Sequence, residues 1–64
     1  MHNNIARMRE ERGWTQDHLA LLLGLEGPGR RMVIQRWEHG HRDPSLENVK
    51  RLLAVFGCTF EEMF

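Results

Sequence analysis

The chain has 64 residues, enough for one small domain and too few to enclose a sizeable catalytic pocket. Its nine basic and nine acidic side chains cancel, so the net charge alone does not indicate a nucleic-acid partner. Cys58 is the only cysteine, which excludes an internal disulfide and favours a reducing, cytoplasmic setting. No apolar run is long enough to span a bilayer, and no catalytic or phosphate-loop motif is present. We therefore expect residues 1–64 to form a single domain that is neither an enzyme nor a membrane protein.

Helix-capping residues and glycines divide the first part of the chain into two helices. Asn3 or Asn4 can cap a first helix, which Gly13 ends. Thr15 caps a second helix, which ends at Gly24. The apolar residues at helical spacing in these two segments are Ile5, Met8, Leu19 and Leu23.

The second part of the chain predicts three further helices. A third helix should run over about 30–39, and Ser45 caps a fourth helix that Gly57 stops. Thr59 and Glu62 have the spacing of a capping box for a short last helix. The residues expected to face the core are Ile34 and Trp37 in the third helix and Leu46, Val49, Leu52, Leu53 and Phe56 in the fourth. No segment alternates as a strand would, so the predicted fold is all-α.

Basic residues concentrate around the third helix. From Arg30 to Arg42 there are four arginines and one acid, Glu38, so this segment has a net charge of +3 and the rest of the chain −3. Arg30 and Arg31 open the helix at the end where its dipole favours anions. The simplest interpretation is that an external anion, such as a nucleic-acid phosphate or a base edge, meets them.

Two stretches of the chain resemble the lambda-repressor-like, Cro/cI-type (XRE family) helix-turn-helix domains. They run from Arg9 to Gly24 and from Ile34 to Gly57, and the resemblance as a whole covers Ile5 to Phe64. In that family the residue matching Gln16 starts the supporting helix, and the residue matching Ala20 lets the two helices approach. The resemblance implies a compact five-helix bundle that contains a helix-turn-helix and binds double-stranded DNA.

The resemblance also implies roles for individual residues. The base-reading positions carry over to Arg31, Met32, Gln35 and Arg36. Phosphate contacts are expected at Gln16, Arg30, His39, His41 and Arg42. Arg9 and Glu38 match a pair that forms a buried, structural salt bridge in the family. We expect no cofactor, and no metal either, because His39 and His41, two imidazoles in a turn, make a poor metal site.

The segment between the two helices of the motif is longer than the family pattern. Twelve residues separate Gly24 from Trp37, four more than the family usually has. In one interpretation residues 26–29 form a loop, and the recognition helix starts normally after it. In the other, Gly27 caps the helix, Pro28 takes its first position, and the helix gains about one turn. The loop is favoured, because a further glycine would weaken the added turn.

The function predicted from this resemblance is that of a bacterial or phage transcriptional regulator that binds a specific DNA sequence. It would bind a roughly palindromic operator as a homodimer, with the last two helices, including Val55 and Phe64, as the expected contact. The alternative is an antitoxin-type DNA-binding module. Its protein partner would contact Leu21 and Leu22, which are apolar where the family usually has polar residues.

Overall fold

The computed structural model describes residues 2–64, so Met1, the first residue of the predicted domain, lies outside the described residues. The described chain contains helices joined by turns and loops, with no strand. The helices are α1 (Ile5–Glu11), α2 (Gln16–Leu22), α3 (Arg30–Glu38), α4 (Leu46–Phe56) and α5 (Phe60–Met63). The all-α, five-helix fold predicted from the sequence is confirmed. None of the helices in this part of the chain is long and apolar enough to cross a membrane.

Side-chain caps begin α2, α4 and α5, as the sequence predicts. The Thr15 hydroxyl accepts a backbone N–H from the first turn of α2 (3.0 Å), and Ser45 does the same for α4 (3.2 Å). At α5, Thr59 and Glu62 form a reciprocal capping box. The hydrogen bonds from Thr59 hold the pKa of Glu62 below its ordinary range. Each of these caps is a local signal, formed by a residue three positions before its partner.

The start of α1 combines local and long-range hydrogen bonds. The residue before the helix is Asn4, but its side chain makes no capping bond and instead donates to the Glu62 carbonyl (3.0 Å). The Asn3 side-chain oxygen accepts the Ile5 backbone N–H (3.1 Å), and its amide donates to the Trp37 carbonyl (2.8 Å). The two asparagines therefore connect the start of α1 to α3 and α5.

All five helices contribute to one apolar core. Its buried members are Ile5, Met8, Leu19, Ala20, Leu23, Ile34, Trp37, Leu52, Phe56 and Met63. The expectation for Leu46 was wrong: this residue is 72% exposed. It has the spacing of the core residues of α4, but it occupies the first position of the helix, where the buried face has not yet begun. Val49 and Leu53 are only partly buried.

The connection between α2 and α3 is a loop. The helix α2 ends at Leu22, and Gly24 adopts the left-handed conformation (φ 77°) in the turn that follows. Because α3 begins at Arg30, residues 26–29 lie outside both helices. Gly27 has φ 90°, which an α-helix does not contain. Residues 26–29 therefore form a loop between α2 and α3.

Candidate nucleic-acid interface

One face of α3 is fixed against the rest of the protein. The side chains of Ile34 and Trp37 are buried on this face, and the helix packs mainly on α2 and also on α1. Ala20, on the buried face of α2, is fully buried. A small residue at such a position allows two helix backbones to approach closely. The orientation of α3 is therefore set by its apolar contacts.

A buried polar cluster holds the C-terminal end of α3. Arg9 of α1 donates from Nε to Glu38 Oε2 (2.6 Å) and from Nη2 to Oε1 (3.3 Å). The Gln16 amide donates to the same Oε1 (2.9 Å), and Arg9 Nη1 donates to the Trp14 carbonyl (2.7 Å). Only 13% of the Arg9 side chain and 3% of the Glu38 side chain are exposed. The cluster thus connects α1, the start of α2 and the end of α3.

A second ion pair holds the N-terminal end of α3. Arg30, the first residue of the helix, donates from Nε to Asp17 Oδ1 (2.7 Å) and from Nη2 to Oδ2 (3.0 Å). Both side chains remain partly exposed, at 31% and 47% respectively. The hydrogen bonds of Arg30, followed by the charges of Arg30 and Arg31, hold the pKa of Asp17 below its ordinary range. The same pairing raises the pKa of Arg30.

This pair changes the interpretation of the two arginines. The sequence predicts an external anion for both, but Arg30 has an anion within the protein, Asp17 in the first turn of α2. Arg31, in contrast, is exposed and has no ion pair or side-chain hydrogen bond within residues 2–64. The need for an external anion therefore rests on Arg31. Gln16 likewise has an internal partner, the Glu38 carboxylate.

The outward face of α3 collects the predicted base-reading residues. At 100° per residue, positions 32, 35, 36 and 39 fall on the side opposite Ile34 and Trp37, and position 31 lies at the edge of that side. Arg31, Arg36 and His39 are exposed, Met32 is 45% exposed and Gln35 is partly buried. We refer to these five residues as the outward face of α3. It presents guanidinium, amide and imidazole groups together with one thioether.

The positive charge continues beyond the end of α3. His41 and Arg42 are exposed in the turn before α4, and the rings of His39 and His41 meet edge to face with centroids 5.8 Å apart. Arg36 and Arg42 line an open depression together with Asp43 and with Ser45, the cap of α4. No group of three or more metal-ligating side chains occurs in the part of the chain that the structure describes. The arrangement provides hydrogen-bond donors for an anionic ligand.

An exposed helix face rich in donors, set on a supporting helix across a turn, defines a helix-turn-helix DNA-binding protein. Comparison with protein families agrees with this class: the family described as "Helix-turn-helix" matches residues 5–63. The chain belongs to this family, which comprises the Cro/cI-type (XRE family) DNA-binding regulator domains. Neither the curated proteins nor the solved structures give a match.

Proposed function

We propose that the chain is a transcriptional regulator that binds a specific double-stranded DNA sequence by inserting α3 into the major groove. The observation that carries this proposal is the outward face of α3, which combines exposed donors with a rigidly held opposite face. An α-helix fits the major groove of B-DNA, where every base pair presents a distinct pattern of donors and acceptors. The family supports DNA as the ligand.

Four residues of the outward face each suit a particular base contact. Arg31 and Arg36 suit bidentate contacts with O6 and N7 of guanine, and Gln35 suits the N6 and N7 atoms of adenine. Met32 suits the methyl group of thymine. The exposure of Arg31, Met32 and Arg36 supports these assignments, since each must reach a base edge.

Phosphate contacts would flank the base-reading residues. We assign His39, the last residue of the outward face, to this role together with His41 and Arg42, which follow it, because all three are exposed. Gln16 and Arg30 each have an internal partner, so they could contact phosphate only through the N–H groups that these bonds leave free. These contacts would position the protein on the duplex without reading its sequence.

The regulator would act as a homodimer on a roughly palindromic operator in the cytoplasm, with one α3 per half-site about one DNA turn apart. The stacked rings of Phe60 and Phe64, with centroids 5.0 Å apart, supply an apolar surface for the contact between the two copies, and 47% of Phe60 is exposed. Val55, in the last turn of α4, is partly buried.

The proposal is tested by selecting bound duplexes from a random-sequence pool at physiological salt. We expect enrichment of a motif containing guanines, and loss of that enrichment for Arg31→Ala/Arg36→Ala. Arg7→Ala is the matched control, because it removes an exposed arginine from α1. Failure of the wild-type protein to enrich any sequence would contradict the proposal. An equal loss of enrichment in the control would show that α3 is not the helix that reads the DNA sequence.

A second candidate function is an antitoxin-type module that binds DNA and a protein partner. The supporting observation is that Leu21 and Leu22, on α2, are 52% and 43% exposed. Co-purification with the product of a neighbouring gene encoding a small toxin would support it, provided that Leu21→Ser/Leu22→Ser abolishes the complex and retains DNA binding. A complex that survives this double substitution would place the contact elsewhere.

A further inference from the structure

We propose that Asp17 withholds the charge of Arg30 from DNA phosphates, and thereby limits how strongly the protein binds DNA of any sequence. This inference rests on the proposed function, in which the start of α3 approaches the duplex. It assigns Asp17 a role as a specificity-determining residue, although Asp17 reads no base.

The geometry of the pair is suited to this role. Asp17 accepts from two nitrogens of Arg30, at 2.7 and 3.0 Å, so the carboxylate is aligned along one edge of the guanidinium. The pair spans the loop and joins the first turn of α2 to the first residue of α3. Because both side chains remain partly exposed, an approaching phosphate would meet the carboxylate and the guanidinium together. It would meet them as a neutral unit.

The electrostatic consequence follows from how proteins bind DNA. Non-specific affinity arises mainly from cations that neutralise phosphates and release counterions, whereas base contacts add specificity. Because Asp17 neutralises Arg30, this arginine adds little to the non-specific affinity. The Asp17 charge also acts on Arg31, the neighbouring base-reading candidate. Asp17 therefore lowers the sequence-independent part of the affinity and leaves a larger share to the base contacts.

The test is a double-mutant cycle on Asp17→Asn, Arg30→Gln and the combined variant. Affinity for a duplex of unrelated sequence and for the selected duplex is measured between about 0.05 and 0.2 M salt. Glu11→Gln is the matched control, because it removes one carboxylate from an exposed ion pair on α1 and changes the net charge equally. Circular dichroism and thermal unfolding check that each variant folds. Asp17→Ser serves as a second removal of the carboxylate if the asparagine variant is unstable.

We expect Asp17→Asn to steepen the slope of log affinity against log salt by about 0.9 and to raise affinity for the unrelated duplex roughly fivefold to tenfold. Affinity for the selected duplex should rise less, so the ratio between the two falls. Arg30→Gln should make the slope shallower and lower the affinity for the unrelated duplex. The combined variant should return to the wild-type slope.

Two results would overturn the inference while leaving the proposed function intact. One is a slope for Asp17→Asn that equals that of wild type or of Glu11→Gln. The other is a combined variant that behaves like Arg30→Gln, because Arg30 would then bind phosphate independently of Asp17. If the wild-type protein binds neither duplex, the proposed function itself fails.

Discussion

Two arginine–carboxylate pairs hold the same helix, and they differ in where they lie. The Arg9–Glu38 pair fixes the end of α3 to α1, and its carboxylate is 3% exposed. The Arg30–Asp17 pair fixes the start of α3 to α2, and its carboxylate is 47% exposed. Both pairs have a short Nε–oxygen contact, at 2.6 and 2.7 Å. Hydrogen bonds of similar length therefore occur in two different environments.

The difference in exposure gives the two pairs different consequences. A buried charge that loses its partner has no water to replace it, whereas an exposed charge is resolvated and screened by salt. Breaking the first pair therefore destabilises the fold. The second contributes little to stability, and its charges remain accessible to an external phosphate. One helix is thus held firmly at one end, while its other end carries a pair that can influence binding.

The largest effect is expected for Glu38→Ala. This substitution leaves the Arg9 guanidinium buried without its carboxylate, and we expect a loss of about 3–5 kcal/mol in the free energy of unfolding. A domain of this size has little more than that in total, so the variant should be largely unfolded. Urea denaturation followed by circular dichroism measures the loss. Glu47→Ala, which breaks the exposed pair with Arg51, is the control. Equal losses in the two variants would contradict the structural role of Glu38.

Arg31→Ala compares Arg31, which has no ion pair or side-chain hydrogen bond within residues 2–64, with its paired neighbour Arg30. Removing a bidentate contact to guanine should cost about 1–3 kcal/mol of binding free energy and relax specificity at one base pair. Competition binding against single-base variants of the selected duplex locates that position. A uniform loss on all sequences would instead make Arg31 a phosphate contact.

Gly24→Ala tests the turn between α2 and α3, the two helices that the Arg30–Asp17 pair joins. Gly24 has φ 77°, and an added methyl group would meet no atom within 4 Å, so the cost is conformational only. We expect a loss of about 1–2 kcal/mol of stability, as for other L-residues in the left-handed region. Gly29→Ala is the control, because Gly29 has φ −92° and equally open surroundings. A loss as large for Gly29→Ala would exclude backbone strain at Gly24 as the cause.

The smallest effect on stability is expected for Asp17→Asn. At neutral pH its urea midpoint should lie close to that of wild type, because the pair is partly exposed. The folded-state pKa of Asp17 is lowered, so the contribution of the pair is fully present above the ordinary aspartate pKa of about 3.9. It is lost as the pH falls through the lowered pKa. The urea midpoints of wild type and Asp17→Asn, measured from pH 7 downwards, should therefore converge in acid. A difference between them that grows in acid would contradict this pH dependence.

Much of the fold could be predicted because its signals are local. Thr15, Ser45 and Thr59 each cap a helix through a residue three positions later, so sequence spacing is enough to locate them. The burial of Ile34 and Trp37 follows from their separation on one helix face. Leu46 shows the limit of this reasoning, since periodicity gives the direction of a side chain and does not tell where the core ends.

The contacts of the candidate site were less predictable. The pairing of Arg30 with Asp17 depends on the path of the loop at 26–29, and loop length alone does not specify that path. An acid in the first turn of α2 and an arginine after a glycine-rich segment were visible in the sequence, but many residue pairs have such separations. The Gln16 amide was assigned to phosphate by resemblance, and its bond to Glu38 follows only from the packed helices.

The placement of α3 at DNA can be measured by NMR, by titrating the isotopically labelled chain with the selected duplex. The largest chemical-shift changes should occur at the outward face of α3, with Arg31 and Arg36 foremost, and extend to His41 and Arg42. Leu46, an exposed apolar residue at the start of α4, should change little. Changes confined to α1 or to Leu21 and Leu22, with the outward face unaffected, would contradict the account.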